Sequence, residues 1–398
     1  MHGTVLQRVG CLCVMVLLVV STMAKAEDAR PVKLSVNLIS LYTDNRDSSA
    51  KGEDNIDLSV QPRVDVNMDK GDSSLVFSYA PSYRFRTEPA DTQNDTQFLQ
   101  ELMLDASLSM GPRAAIRLMD NFYMTEDPAV QDFGTTLRRD SSFIYNRAML
   151  GANVPLSRQM SADLSGSHSM KRYDEKERAK DADEDGLGGQ ASVWYGVSRQ
   201  LGIALMGRFD TYDYESSLDL KRGLDTTVGA AGFDYLLSDR IRTELRLGWV
   251  QASYEDKVIK EESGPYFNLS VAASPQPDTK FTVAAGMTIR NSDIYPFASQ
   301  EETYGSAGVD WKASERVKVD VTGQYRVGTY DEKTIPSGAD AIFATSGDDK
   351  RMILSGGATF NLGDYTSLRI AQSHENVSTD VTVEYSRNST TLMLSRVF

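Results

Sequence analysis

The residues able to do chemistry are few. Histidine occurs three times in 398 residues, and two of these, His168 and His374, lie beyond the N-terminal stretch. Neither stands in a zinc-binding spacing such as HExxH, and no GxSxG nucleophile elbow occurs. Ser167-His168-Ser169 holds the two residue types of a hydrolytic pair, but no third group is readable that would orient the imidazole. The sequence therefore predicts no catalytic residues and no enzyme. Asp181-Ala182-Asp183-Glu184-Asp185-Gly186 copies the first half of a calcium loop, with Ser192 where a bidentate Glu belongs. It lies in the charged run Asp174–Gly186, which reads first as a solvated loop and only second as a weak calcium site. No cofactor and no metal is expected.

The remaining chemistry is a set of charges at alternate positions. In Ile56–Met68, IDLSVQPRVDVNM, every second residue is apolar and those between are polar. A β-strand turns successive side chains to opposite faces, so the stretch has one oily and one wet face. Thirteen residues exceed the roughly 5–6 of an ordinary strand and suit a tilted strand across a bilayer, which needs about 9–11. Parity assigns Arg63, Asp65, Arg84, Glu101, Asp105, Arg117, Arg208, Asp210, Asp234, Arg246, Arg290, Asp320, Arg326 and Arg369 to the wet face, with Asp57 and Asp310 beside them. Mixed charge on a wet wall suits passage of hydrophilic solutes, and equally suits pairing that only hydrates the wall.

The elements that carry these charges follow a rule. Short connections, such as Lys70-Gly71-Asp72, Pro155-Leu156-Ser157 and Leu362-Gly363-Asp364, alternate with long polar ones, such as Asp44–Asn55, Thr125–Asp140 and Asp331–Asp349. That order is the habit of transmembrane barrels. Eight short turns plus a strand at each end predict an all-β, antiparallel, up-and-down transmembrane barrel of 18 strands, or 16 if one faint pair is loop. Val381–Arg387 is merged into the last strand. Asp120 is a misfit, since it shares the face of Ile116, Leu118 and Phe122; a β-bulge turning it inward is expected.

Arg8, the apolar run Cys11–Val20 and Ala24-Lys25-Ala26 read as an export signal, residues 1–26, leaving a barrel of residues 27–398. Both cysteines of the chain fall in that signal, so no disulfide or thiol chemistry is expected of the barrel. The net charge of −14 argues against a nucleic-acid partner.

The chain ends TLMLSRVF, with Leu392, Leu394 and Phe398 on one face. This resembles the C-terminal signature by which outer-membrane barrels are handed to the barrel-assembly machinery; Arg396 departs from it. The chain as a whole resembles the β-barrel porins associated with exopolysaccharide assembly and export, through SVQPRVDV (59–66), SYAPSYRF (78–85) and YSRNSTTLMLSRVF (385–398). The resemblance implies a bacterial outer-membrane location, outer-membrane lipids and lipopolysaccharide as surroundings, and a secreted polysaccharide as one partner. Two functions are expected to compete: a pore for hydrophilic solutes, and a non-conducting barrel acting through its external loops.

Overall fold

The computed structural model describes residues 31–398 apart from 47, 88–94, 112, 126–141, 175–181, 215–220, 293 and 338–345. The proposed signal and its cleavage point lie outside the described residues. Eighteen strands follow in order: β1 (Val32–Thr43), β2 (Asn55–Lys70), β3 (Ser73–Arg86), β4 (Thr96–Ser109), β5 (Ala115–Thr125), β6 (Phe143–Pro155), β7 (Met160–Tyr173), β8 (Glu184–Gly196) and β9 (Leu201–Tyr214), then β10 (Leu224–Ser238), β11 (Ile241–Tyr254), β12 (Glu262–Gln276), β13 (Thr279–Asn291), β14 (Ser299–Trp311), β15 (Val317–Tyr330), β16 (Gly347–Gly363), β17 (Thr366–Thr379) and β18 (Tyr385–Val397). Each pairs antiparallel with its sequence neighbours, and β1 pairs with β18, so one sheet closes on itself as an 18-stranded barrel. Closure leaves no open edge and gives every wall strand a partner on both sides.

Alternation separates the two faces. Leu34, Leu58, Phe85, Leu150, Leu205, Trp249, Tyr325 and Ile370 stand on one face, and all are among the exposed large apolar residues. In a soluble protein an apolar surface of this extent would have to be covered; here it circles the whole wall. The opposite face carries the charges. A core therefore exists only as patches. One, on the inner face, joins Leu224, Val228, Val250, Ala252 and Tyr254 to Ile289 and Ala298. Another, on the outer face, joins Val66, Met68, Leu75 and Leu104.

Asp120 does not turn inward. The β4–β5 ladder runs unshifted from Gln100↔Met124 to Ser109↔Ala115, and β5–β6 from Ala115↔Asn153 to Thr125↔Phe143. With no bulge, Asp120 stays on the outer face opposite Leu104 and Ala148. It is tolerated because neighbouring side chains cover it, leaving 8% exposed, and because Asn146 Nδ2 donates to its Oδ1 at 2.6 Å. The last strand also starts later than expected: Val381–Glu384 belong to the connection, and β18 begins at Tyr385.

Four short turns share one construction. Ser157, Ser198, Ser238 and Ser314 each accept backbone N–H bonds through Oγ from residues two or three further on. A serine hydroxyl that mimics a backbone turn closes the hairpin without glycine. Within the wall, glycine is required at Gly232, where a Cβ would meet Leu245 O at 1.8 Å, and at Gly286, where the Tyr304 ring occupies the place of a side chain.

Candidate functional site: the inner wall and its constriction

All fourteen charges assigned by parity fall on the face opposite the exposed apolar residues. Most are drawn into pairs. Arg63 Nε lies 2.8 Å from Asp65, Arg208 Nε 2.6 Å from Asp210, and Arg246 Nη2 2.7 Å from Asp234. Arg117 bonds Asp105 through both Nε and Nη2, and Arg369 bonds Asp320 through two nitrogens. Such forked pairs fix geometry as well as charge. Arg246 also stacks over Trp194, 4.4 Å from the ring centre. Arg290 and Arg326 meet on one carboxylate, Glu302, at 3.3 and 2.6 Å. Arg84 and Glu101 lie on the same face.

Glu302 is only 1% exposed, and sequence reasoning missed it although its parity is legible. A second clamp of the same kind was also missed. Glu375 of β17 is held by Arg351 of β16 at 2.6 Å and Arg387 of β18 at 2.5 Å, with Tyr385 Oη donating at 2.8 Å. Each clamp ties three adjacent strands through one buried acid. An acid so enclosed is tolerable only because both oxygens are matched by charged donors.

The bore is not uniform. β12 and β13 pair only from Phe267↔Met287 towards the short turns, so the far end of β13 leaves the wall. Its Ile289 packs inward against residues of β10 and β11. Asn291 Nδ2 then reaches Glu184 of β8 at 3.1 Å and Tyr214 of β9 at 2.9 Å, and Tyr214 Oη donates to Ser292 O at 2.9 Å. Glu184 is also bonded by Lys171 of β7 at 3.3 Å. Strands β7 to β9 lie four or more places from β13 around the barrel, so these bonds cross the lumen.

The connection that follows is fastened down. Arg222, 2% exposed, donates to Phe297 O through Nε at 3.3 Å and Nη2 at 3.0 Å. Its guanidinium lies 4.4 Å from the centre of the Tyr214 ring and 5.5 Å from that of Tyr295. Phe297 packs on Tyr330 with ring centres 5.2 Å apart. Gln300 Oε1 accepts from Tyr330 Oη at 2.8 Å and from Arg326 at 3.2 Å, while its Nε2 donates to Asn291 O. The Asn291–Ser299 connection is thus a folded constriction inside the barrel end that carries the long loops. Around it Arg147, Arg208 and Arg290, from three well-separated strands, fall within electrostatic range of one another. The short-turn end is wider: Arg117 and Arg242 side chains there are 53% and 58% exposed.

The other sequence candidates separate. His168 lies on the outer face of β7 while Ser167 and Ser169 face inward, so the three cannot act together. In the acidic run, Asp181 lies outside the described residues. Asp183 accepts from Tyr173 N at 2.8 Å, Glu184 bonds Lys171, and Asp185, on the opposite face from Glu184, bonds Arg172. These carboxylates do not converge, and no group of metal-ligating side chains occurs among the described residues. Leu392 and Leu394 are 46% and 40% exposed on the outer face, and the terminal Phe398 71%. Arg396 shares their face and donates to Thr366 Oγ1 at 2.8 Å.

Comparison with known proteins adds three findings. Residues 206–396, from within β9 to within β18, match the family model described as "Putative beta-barrel porin 2". No curated protein matches the sequence. Among solved structures the chain is similar to Acinetobacter baumannii OccAB3 (10% identity, TM-score 0.48, covering 93% of this chain and 100% of that one). It is also similar to Pseudomonas aeruginosa OccK9 (11%, 0.49, 92% and 98%) and to P. aeruginosa OccK2 in complex with glucuronate (9%, 0.47, 92% and 98%).

Proposed function

We propose that the protein is an outer-membrane porin, a channel for passive diffusion of small hydrophilic solutes. The observation that carries this is a closed 18-strand wall, apolar without and charged within. A barrel of 16–18 strands leaves an aqueous bore unless something fills it. The match of the second half of the chain to a porin family supports the same reading. The charges that line the wall are the working surface, and the Asn291–Ser299 constriction sets the size limit. Reconstitution into planar bilayers tests it: discrete conductance steps are expected, and their absence from correctly folded barrels would reject the pore.

One observation favours the second reading, a sealed barrel that works through its loops. Phe297, Ala298 and Ser299 are each 0–1% exposed, so part of the bore is filled. The same recording decides between the two. The exopolysaccharide role implied by the sequence resemblance has no support in the geometry or the matches. It would require loss of surface polysaccharide on gene deletion, in cells where the conductance is otherwise normal.

A further inference from the structure

On the outer face, strands β5 to β10 differ from the rest of the wall. Where other strands present Leu, Val or aromatic residues, neighbouring rows here present Ala152, Gly166, Gly189, Ala191, Gly207 and Gly229. The registers Ala152↔Leu164, Leu164↔Ala191, Ala191↔Gly207 and Gly207↔Gly229 set most of them in one row across the sheet. Between the ridges Leu150, Leu164 and Phe209 this leaves an apolar groove of about 790 Å³. Nothing lies within 4 Å of the place where a Cβ would stand on Gly207 or Gly229. Glycine weakens a strand, so empty glycines on a face that welcomes bulk call for something that approaches the backbone closely.

Beneath the groove the short turns carry a second signal. Arg113, Arg158, Arg199 and Arg240 occupy four consecutive hairpin turns, and all are exposed. Arg113 and Arg240 reach sideways to carbonyls of neighbouring turns. The side chains of Arg158 and Arg199 make no hydrogen bond or ion pair among the described residues. Tyr195, 45% exposed on the outer face beside them, marks interface depth. Leu164 lies six residues up β7 from Arg158. That is about 20 Å of strand at ~3.4 Å per residue, or about 15 Å along the normal at a tilt near 40°. Half the hydrocarbon thickness of a bilayer is also about 15 Å.

We propose that this face holds an anionic phospholipid of the leaflet on the short-turn side. Its phosphate sits between Arg158 and Arg199, and an acyl chain lies in the groove over Gly189 and Gly207. Charge complementarity and the matching depth select this occupant over a second copy of the chain. The proposal rests on the barrel lying in a bilayer but not on its conducting.

The test is native mass spectrometry of the full barrel released from detergent after incubation with phosphatidylglycerol or phosphatidylethanolamine. Wild type is expected to retain one phosphatidylglycerol with at least tenfold preference. Gly207→Leu, which fills open space without disturbing the wall, is expected to lose the bound lipid. Arg158→Gln with Arg199→Gln is expected to keep lipid and lose the preference. Equal retention by wild type and Gly207→Leu would overturn the proposal. So would a Gly207→Leu variant that splits a multimer while lipid binding is unchanged, since the groove would then be a subunit contact. A barrel that stays monodisperse without detergent would instead remove the membrane reading itself.

Discussion

Replacing Arg222 by Ala should release the constriction. The side chain makes two charged hydrogen bonds to Phe297 O and stacks on Tyr214. A hydrogen bond to a charged group contributes about 1.5–3 kcal/mol net, and two donors sharing one carbonyl act together as little more than one such bond. A desolvated cation–π contact adds up to about 2 kcal/mol. Together the fastening is worth roughly 3–4 kcal/mol, two to three powers of ten in the open-to-closed ratio. The Asn291 bonds to Glu184 and Tyr214 remain, so the segment should swing rather than unfold. Single-channel recording is expected to show larger or rapidly fluctuating conductance, and liposome swelling should admit larger solutes. Arg222→Lys should recover little, because an ammonium cannot both fork onto a carbonyl and lie flat on a ring. If Arg222→Ala folds normally and its conductance and size limit equal those of wild type, the constriction lies elsewhere.

Three further outcomes follow from the geometry. Glu375→Ala should destabilise the barrel by about 3–5 kcal/mol, the cost of stranding one side of a buried ionic group, read as a shift in urea unfolding from vesicles; a change below 1 kcal/mol would show the clamp to be idle. Asp120→Leu should stabilise by about 1–2 kcal/mol in the same assay, since it removes an acid from the lipid face; destabilisation would mean the Asn146 pair holds β5 to β6. Asp256, in the β11–β12 connection, accepts from Ser337 Oγ and N and from Val258 N, and these bonds hold its carboxyl below the usual carboxylate range. A lowered acid stabilises above its ordinary pKa near 4 and loses that contribution as pH falls further. Protease cleavage near Ser337 should therefore be slow and level from pH 8 to 5, then rise below pH 4, while Asp256→Asn cleaves fast throughout.

The wall was legible because its determinants are local. A period of two needs only the neighbouring residues, and the order of short and long connections counts the strands without any knowledge of what they touch. Parity likewise put Arg290, Arg326 and the rest on one face. It could have found Glu302 and Glu375 too, since both alternate correctly with their neighbours. Asp120 went wrong for a physical reason. A rule that forbids charge on the lipid face ignores what adjacent side chains cover, and here neighbours on three strands plus one amide make the acid tolerable.

The constriction was illegible because nothing local encodes it. Arg222, Tyr214, Glu184 and Asn291 come from different connections and strands, and they meet only because β13 abandons β12 near its end. In a wall where every backbone group is otherwise paired, a departure of that kind leaves strand ends unsatisfied. It persists only if side chains from the far wall replace the lost ladder bonds. Tyr214, Glu184 and Arg222 supply those replacements, to the Asn291 side chain and to the carbonyls of Ser292 and Phe297. The function therefore depends on a few long-range polar contacts laid over a local pattern. Substitutions on the repeated wall should mostly change stability, whereas substitutions at these four positions should change what passes.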